Sequence, residues 1–153
     1  MVPTNGYFLI DDNIRNNVEN IIKDLKNNDI RLIFSFSDDG GLLDEINRPL
    51  NNQAKQDKEK FYTEVKKFAN KYGYGFHPMV NANGIHKWVE NFKWWKDFTK
   101  DIQAGDVYSN AMFLEVRNDE WTDENIEEYL TFLKIYIESI PETFNSLSKK
   151  DII

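Results

Sequence analysis

The amino-acid sequence predicts an α/β fold built on a parallel sheet. Three observations carry that prediction. Short apolar runs alternate with longer segments whose apolar residues recur at helical spacing. The connections between the runs are long enough for right-handed crossovers. Each apolar run stops in polar residues, the pattern of strands that end at a ligand-binding edge. Three strands stand out, at Ile30–Phe36, Gly75–Asn81 and Val107–Val116, and the N-terminal residues supply a fourth.

The elements are taken in chain order. Tyr7–Ile10 is a brief apolar patch that runs into Asp11-Asp12, a suitable cap and first turn for a helix. Ile14, Val18, Ile21, Ile22 and Leu25 form the apolar face of that helix, and Asn27-Asn28-Asp29 stops it. The Ile30–Phe36 strand is rich in β-branched and aromatic residues. Asp38-Asp39-Gly40-Gly41 must then turn, and an irregular stretch continues through Asn52, long enough to suggest a functional loop.

The spacing of Phe61, Val65 and Phe68 predicts a helix over Gln56–Lys71, closed by Gly73. Asn83-Gly84 opens another, carrying Ile85, Trp88, Val89, Phe92 and Trp95 inward. Thr122 caps a last helix through Ile126, Tyr129, Leu130, Leu133 and Ile137, which ends near Pro141. The expected organisation is one α/β domain over residues 1–140 and a polar tail over 141–153. A sheet of so few parallel strands leaves two open edges unless something covers them.

Composition narrows the function. A content of 41% hydrophobic and 14% aromatic residues is that of a folded domain. The net charge of −7 argues against nucleic acid, and the lysines of residues 55–71 are interleaved with acidic residues. No stretch of about 18 apolar residues could span a bilayer, and no secretory leader is visible. The sequence has no cysteine, hence no disulfides, which fits a cytoplasmic protein.

Polar residues at the strand ends are the candidates for chemistry: Ser35, Ser37 and Asp38, then His77, Asn81 and Asn83, then Glu115, Arg117 and Asn118. Asp38-Asp39 offers carboxylate oxygens for Mg2+, but a turn or capping role is the simpler reading. With His77 and His86 the only histidines, no two-histidine metal motif exists, and no metal site is assigned. His86 and Glu90 make a surface pair, whereas His77 beside Pro78 is better placed to enter a site. The four tryptophans read as core or interface. Dinucleotide fingerprint, P-loop and nucleophile elbow are all missing.

Ordered together, several of these segments resemble the radical S-adenosylmethionine enzymes, in particular the peptide-maturase branch related to sulfatase-maturating enzymes. Thr4-Asn5-Gly6 is similar to the motif after that family's third barrel strand, and Ser35-Phe36-Ser37-Asp38-Asp39-Gly40 to its fourth-strand Ser-x-Asp-Gly with extra residues. Arg48-Pro49 stands where the family's arginine closes that segment. Gly75–Val80 and Leu114–Trp121 resemble the fifth and sixth strands.

The resemblance implies a partial (β/α) barrel of about three to four parallel strands with flanking helices. It also implies that Asn5, Gly6, Ser35, Ser37, Asp38, Arg48, Asn81 and Arg117 cradle S-adenosylmethionine, with His77 and Asn118 facing a peptide substrate. A guanidinium suits the cofactor's carboxylate because it donates two parallel hydrogen bonds.

The family's 4Fe-4S cluster is held by a Cys-x3-Cys-x2-Cys loop after the first strand, upstream of everything here. The chain thus reads as a central fragment, inactive by itself. Its implied partners are the missing N-terminal barrel portion or another copy meeting its open sheet edges. Two other readings remain open. One is a non-catalytic α/β binding or assembly module. The other is a receiver-like signalling domain, suggested by Phe8-Leu9-Ile10-Asp11-Asp12, which lacks a suitable phosphoacceptor and a strand-ending lysine.

Overall fold

A computed structural model describes residues 2–43, 46–100, 102, 115–117 and 120–139. It is a mixed α/β structure. Strands β1 (Val2–Thr4), β2 (Phe34–Phe36) and β3 (Tyr74–Phe76) form a parallel sheet in the order β1-β2-β3. Strands β4 (Met79–Val80) and β5 (Glu115–Val116) form a second parallel pair. The register is Val2 to Phe34 to Tyr74, and Thr4 to Phe36 to Phe76.

The fourth strand expected from the N-terminus is therefore β1. The expected Ile30–Phe36 strand shortens to its last three residues, because Ile30 and Ile33 lie exposed and Ile30 N–H closes the preceding helix on Leu25 O. The expected Gly75–Asn81 strand is broken at His77-Pro78, where proline has no N–H for a ladder. Of the expected Val107–Val116 strand only its last two residues lie among those described. The polar tail at 141–153 and the helix end at Pro141 lie outside them.

Helix α1 (Asp12–Asn27) starts where the sequence places its cap: the Asp11 side chain accepts from the N–H groups of Asn13 and Ile14 at 2.9 and 3.0 Å. The apolar patch before it forms a 3-10 turn at Tyr7–Leu9, so Asp11 ends no strand. The helix expected over Gln56–Lys71 is two pieces, α2 (Asn52–Gln56) and α3 (Lys58–Tyr72). Asp57 divides them, capping α3 through Lys60 N–H at 3.0 Å. A 3-10 turn at Ile85–Lys87 leads into α4 (Trp88–Thr99). Thr122 and Asn125 form a reciprocal capping box at the start of α5 (Asp123–Glu138).

Aromatic rings fill the space between strands and helices. Phe34 and Phe68 of α3 meet edge to face at 5.0 Å, and Phe76 lies 4.7 Å from Trp95 of α4. Phe8, in the 3-10 turn after β1, joins the same cluster against Phe34 and Phe68. Tyr62 of α3 contacts Trp94 of α4 at 4.9 Å, and Phe132 of α5 is fully buried against Trp88 and Phe92. Among the described residues no helix is long and apolar enough to cross a membrane.

Candidate functional site at the strand ends

Parallel strands bring all their carboxyl ends to one edge. Three backbone bonds align the residues just past those ends. Ser37 N–H donates to Thr4 O at 2.7 Å, His77 N–H to Phe36 O at 2.9 Å, and Arg117 N–H to Val80 O at 2.8 Å. Each residue is thus tied to the last residue of the neighbouring strand. Ser37 is set beside the end of β1, His77 beside the end of β2, and Arg117 beside the end of β4.

The Thr4-Asn5-Gly6 motif has a local explanation. Thr4 Oγ1 accepts from Gly6 N–H at 3.0 Å, and Asn5 Oδ1 accepts from Tyr7 N–H at 3.2 Å. Gly6 has a φ of 77°, and a Cβ on it would sit 3.2 Å from the Phe36 ring. The positive φ favours glycine there, and a side chain would also press on the Phe36 ring. Asn5 is exposed at this corner.

Beyond β2, the two aspartates diverge. Asp38 Oδ1 accepts from Gly40 N–H at 2.7 Å and from the Tyr62 hydroxyl at 3.0 Å, which fixes the turn against α3. Asp39 is buried and reaches across the sheet: its Oδ1 accepts from Met79 N–H, and Arg48 Nε lies 3.7 Å from its Oδ2. Arg48 Nη1 also donates to His77 O at 3.3 Å, and Asn47 Nδ2 donates to Met79 O at 3.2 Å. The long segment after β2 is therefore stitched to the β3–β4 junction. Among the described residues no group of three acidic or histidine side chains could hold a metal.

Asn91 completes this junction. Fully buried in α4, it donates to Asp39 O at 2.7 Å and accepts from Leu42 N–H at 3.0 Å. Sequence reading passed over Asn91, Asn47 and Tyr62. The available signal was a polar residue standing within the apolar stripe of Trp88, Phe92 and Trp95.

The remaining candidates are more dispersed. Ser35 is buried, and strand alternation directs it away from the face of Phe34 and Phe36; its Oγ has no hydrogen-bond partner among the described residues. Asn81 Oδ1 accepts from Gly84 N–H at 2.9 Å, capping the turn before α4. Arg117 is exposed, with Nε 2.9 Å from the Met79 sulfur, and it borders a cleft of about 410 Å3 with Val116, Trp121, Ile126 and Tyr129. Asn118 lies outside the described residues. His86 and Glu90 are both exposed. A larger groove, about 600 Å3, is lined by α3 and α4 residues alone, including Tyr62, Lys66, Trp94 and Phe98.

The donor sets bear on the two groups that the resemblance implies. An iron–sulfur cluster needs thiolates, and a chain without cysteine does not fit it. A polar, zwitterionic small molecule fits better: the edge offers the Asn5 amide, the Ser37 hydroxyl and the Arg117 guanidinium, with Ser35 Oγ buried beneath. Arg48 enters this edge already engaged with Asp39, so a ligand carboxylate there competes with a buried one. Comparison of the chain with protein-family models, curated proteins and solved structures finds no match.

Proposed function

We propose that this chain is the cofactor-cradling middle of a radical S-adenosylmethionine peptide-modifying enzyme. In this reading it is a partial (β/α) barrel that binds S-adenosylmethionine without cleaving it. The observation that carries the reading is the strand arrangement. β1, β2 and β3 lie side by side in chain order, and β5 adds parallel to β4, directly after β3. Phe34, Phe36 and Phe76 all meet the aromatic layer of the helices, while the intervening Ser35 and Gly75 leave the other face small, as a ligand-facing interior needs.

In the bound state S-adenosylmethionine supplies the methionine carboxylate, ammonium and adenosine that these residues hold. Asn5 and Ser37 hydrogen-bond the polar amino-acid end. Arg48 attracts its carboxylate, and exchanging the Asp39 partner makes that step costly. Asn81 and Arg117 border the nucleoside, and His77 faces a peptide. Electron delivery has no residue here to support it, so no cleavage step is assigned to this chain.

Calorimetric titration with S-adenosylmethionine tests the reading. Saturable binding is expected, weakened at least tenfold by Arg117→Ala, an exposed position where truncation leaves the fold intact. Absence of heat at millimolar ligand overturns it. Anaerobic reconstitution with iron and sulfide should leave no stoichiometric iron on the chain. The second reading, a non-catalytic assembly module, is favoured by the exposed apolar residues at both ends of the sheet.

A further inference from the structure

Away from the strand-end edge, positive charge and aromatic surface coincide in the groove between α3 and α4. Helix α3 carries five lysines and two glutamates in a chain whose net charge is −7, so the positive charge is local. Lys58, Lys66 and Lys67 line the groove, with Glu59 as its acidic member. Lys67 pairs with Glu64 at 2.7 Å. Lys58 and Lys66 are both half-buried, because their stems lie along rings. Lys66 Nζ sits 5.2 Å from the centre of the Phe98 ring, and Lys58 Nζ 6.0 Å from that of Tyr62. Lys58 also donates to Gly41 O at 2.9 Å. Both ammonium groups are thereby placed in advance, which lowers the ordering cost of an ion pair.

Between the two lysines lies an apolar floor. Trp94 and Phe98 stack with their planes 7° apart at 5.0 Å, and Tyr62 meets them edge to face at 4.9 and 5.4 Å. Trp94 is only half-buried, so part of its indole faces the groove. Lys58, Tyr62 and Lys66 follow the spacing i, i+4, i+8 along one face of α3, which sets Tyr62 midway between the cations. That row covers about 12 Å of helix.

We propose that this groove binds an acidic peptide segment of another protein, extended along α3, with two carboxylates four positions apart and an apolar side chain midway between them. In an extended chain, positions i and i+4 point the same way and stand about 13 Å apart, close to the span from Lys58 to Lys66. Position i+2 shares that face and meets the exposed part of Trp94. An ammonium has three donors, so each carboxylate adds to the contacts that Lys58 and Lys66 already make. A groove of about 600 Å3 over this length is narrower than a helix, which is about 10–12 Å across with its side chains.

Glu59 on the same rim sets the selectivity. A segment acidic at every position meets both Glu59 and the net negative charge of the chain, so two separated carboxylates suit the groove better than a polyanion. Nucleic acid is disfavoured on the same ground. This binding is independent of whatever the strand-end edge holds.

Fluorescence anisotropy of a labelled, end-blocked peptide, Glu-Ser-Leu-Ser-Glu, titrated with the full chain in the absence of S-adenosylmethionine tests it. Saturable binding is expected, weakened about fivefold or more by Lys58→Ala or Lys66→Ala. Lys60→Ala, at an exposed lysine of α3 outside the groove, should leave the affinity unchanged. The shuffled peptide Glu-Glu-Leu-Ser-Ser should bind about fivefold more weakly, since only one of its carboxylates can reach a lysine in register. Combining Lys58→Glu with Lys66→Glu should abolish binding of the acidic peptide and create binding of Lys-Ser-Leu-Ser-Lys, a gain that also shows the variant to be folded. No saturation at millimolar chain, an equal loss on Lys60→Ala, equal affinity for the shuffled peptide, or tighter binding of a single-stranded oligonucleotide overturns the inference.

Discussion

The junction after β2 and the two ends of the sheet are built on opposite terms. At the junction polar side chains are joined to protein partners: Asp38 with Tyr62, Asp39 with Met79 and Arg48, Asn91 with Asp39 and Leu42, although the buried Asn47 Oδ1 has no hydrogen-bond partner among the described residues. Such partners offset most of the cost of burying polar groups. The ends show the reverse, with Ile14, Ile21, Ile126 and Leu130 exposed beside strands that pair on one side only among the described residues. The difference separates a middle held by polar contacts from flanks whose helices keep part of their apolar rows exposed.

Removing the centre of the junction should have the largest effect on stability. Asp39→Ala leaves Arg48 without its carboxylate and Met79 N–H without an acceptor, for a loss of about 3 kcal/mol read from the urea midpoint. The same measurement on Ile21→Glu, at concentrations where the parent is monomeric, should move by no more than about 0.5 kcal/mol. Equal losses at the two positions would erase the contrast.

A smaller effect sharpens the steric side of it. A Cβ on Gly41 would lie 2.6 Å from the Trp94 indole nitrogen, so Gly41→Ala must displace that ring from its stacking on Phe98. The expected cost is about 1–3 kcal/mol, with a change in tryptophan fluorescence that tracks the ring. Unchanged fluorescence and stability would mean that the turn is loosely held.

The smallest effect lies where α3 meets α1. Lys71 Nζ and Glu19 Oε2 are 2.6 Å apart, joining α3 to α1. The hydrogen bond to Lys71 holds the Glu19 carboxyl below its ordinary value, and the same bond raises the Lys71 ammonium above its own. The stabilisation from Glu19 is complete above the usual glutamate range and fades as pH falls through its depressed folded value. That from Lys71 is complete below the usual lysine range and fades as pH rises through its raised one. Because Lys71 is well exposed, the pair is worth under about 1 kcal/mol. Lys71→Met should flatten the acid limb of a stability–pH curve, and an unaltered limb would place the acid sensitivity elsewhere.

Much of the local structure was legible in the residues. Asp11 and Thr122 cap helices where their side chains and the adjoining apolar rows predict, because a cap is set within four residues. The break at Pro78 and the 3-10 turn at Tyr7–Leu9 were not foreseen, since apolar runs alone do not separate short strands from turns. At the candidate site the sequence singled out Arg48 and His77, and the structure joins them through a guanidinium-to-carbonyl bond. It gave Asp39 only a generic turn role, because nothing local distinguishes it from Asp38. Asp39 draws its meaning from Met79, forty positions away, and from Asn91, which lies further still.

By itself the sequence determined the α/β alternation, the starts of α1 and α5 and the absence of any thiolate for a cluster, since these depend on neighbouring residues or on composition. Only the tertiary structure decided which aspartate is the organiser and which apolar rows are buried. Partnership across the sheet depends on strand order and register, and burial of an apolar row depends on which elements fold against it.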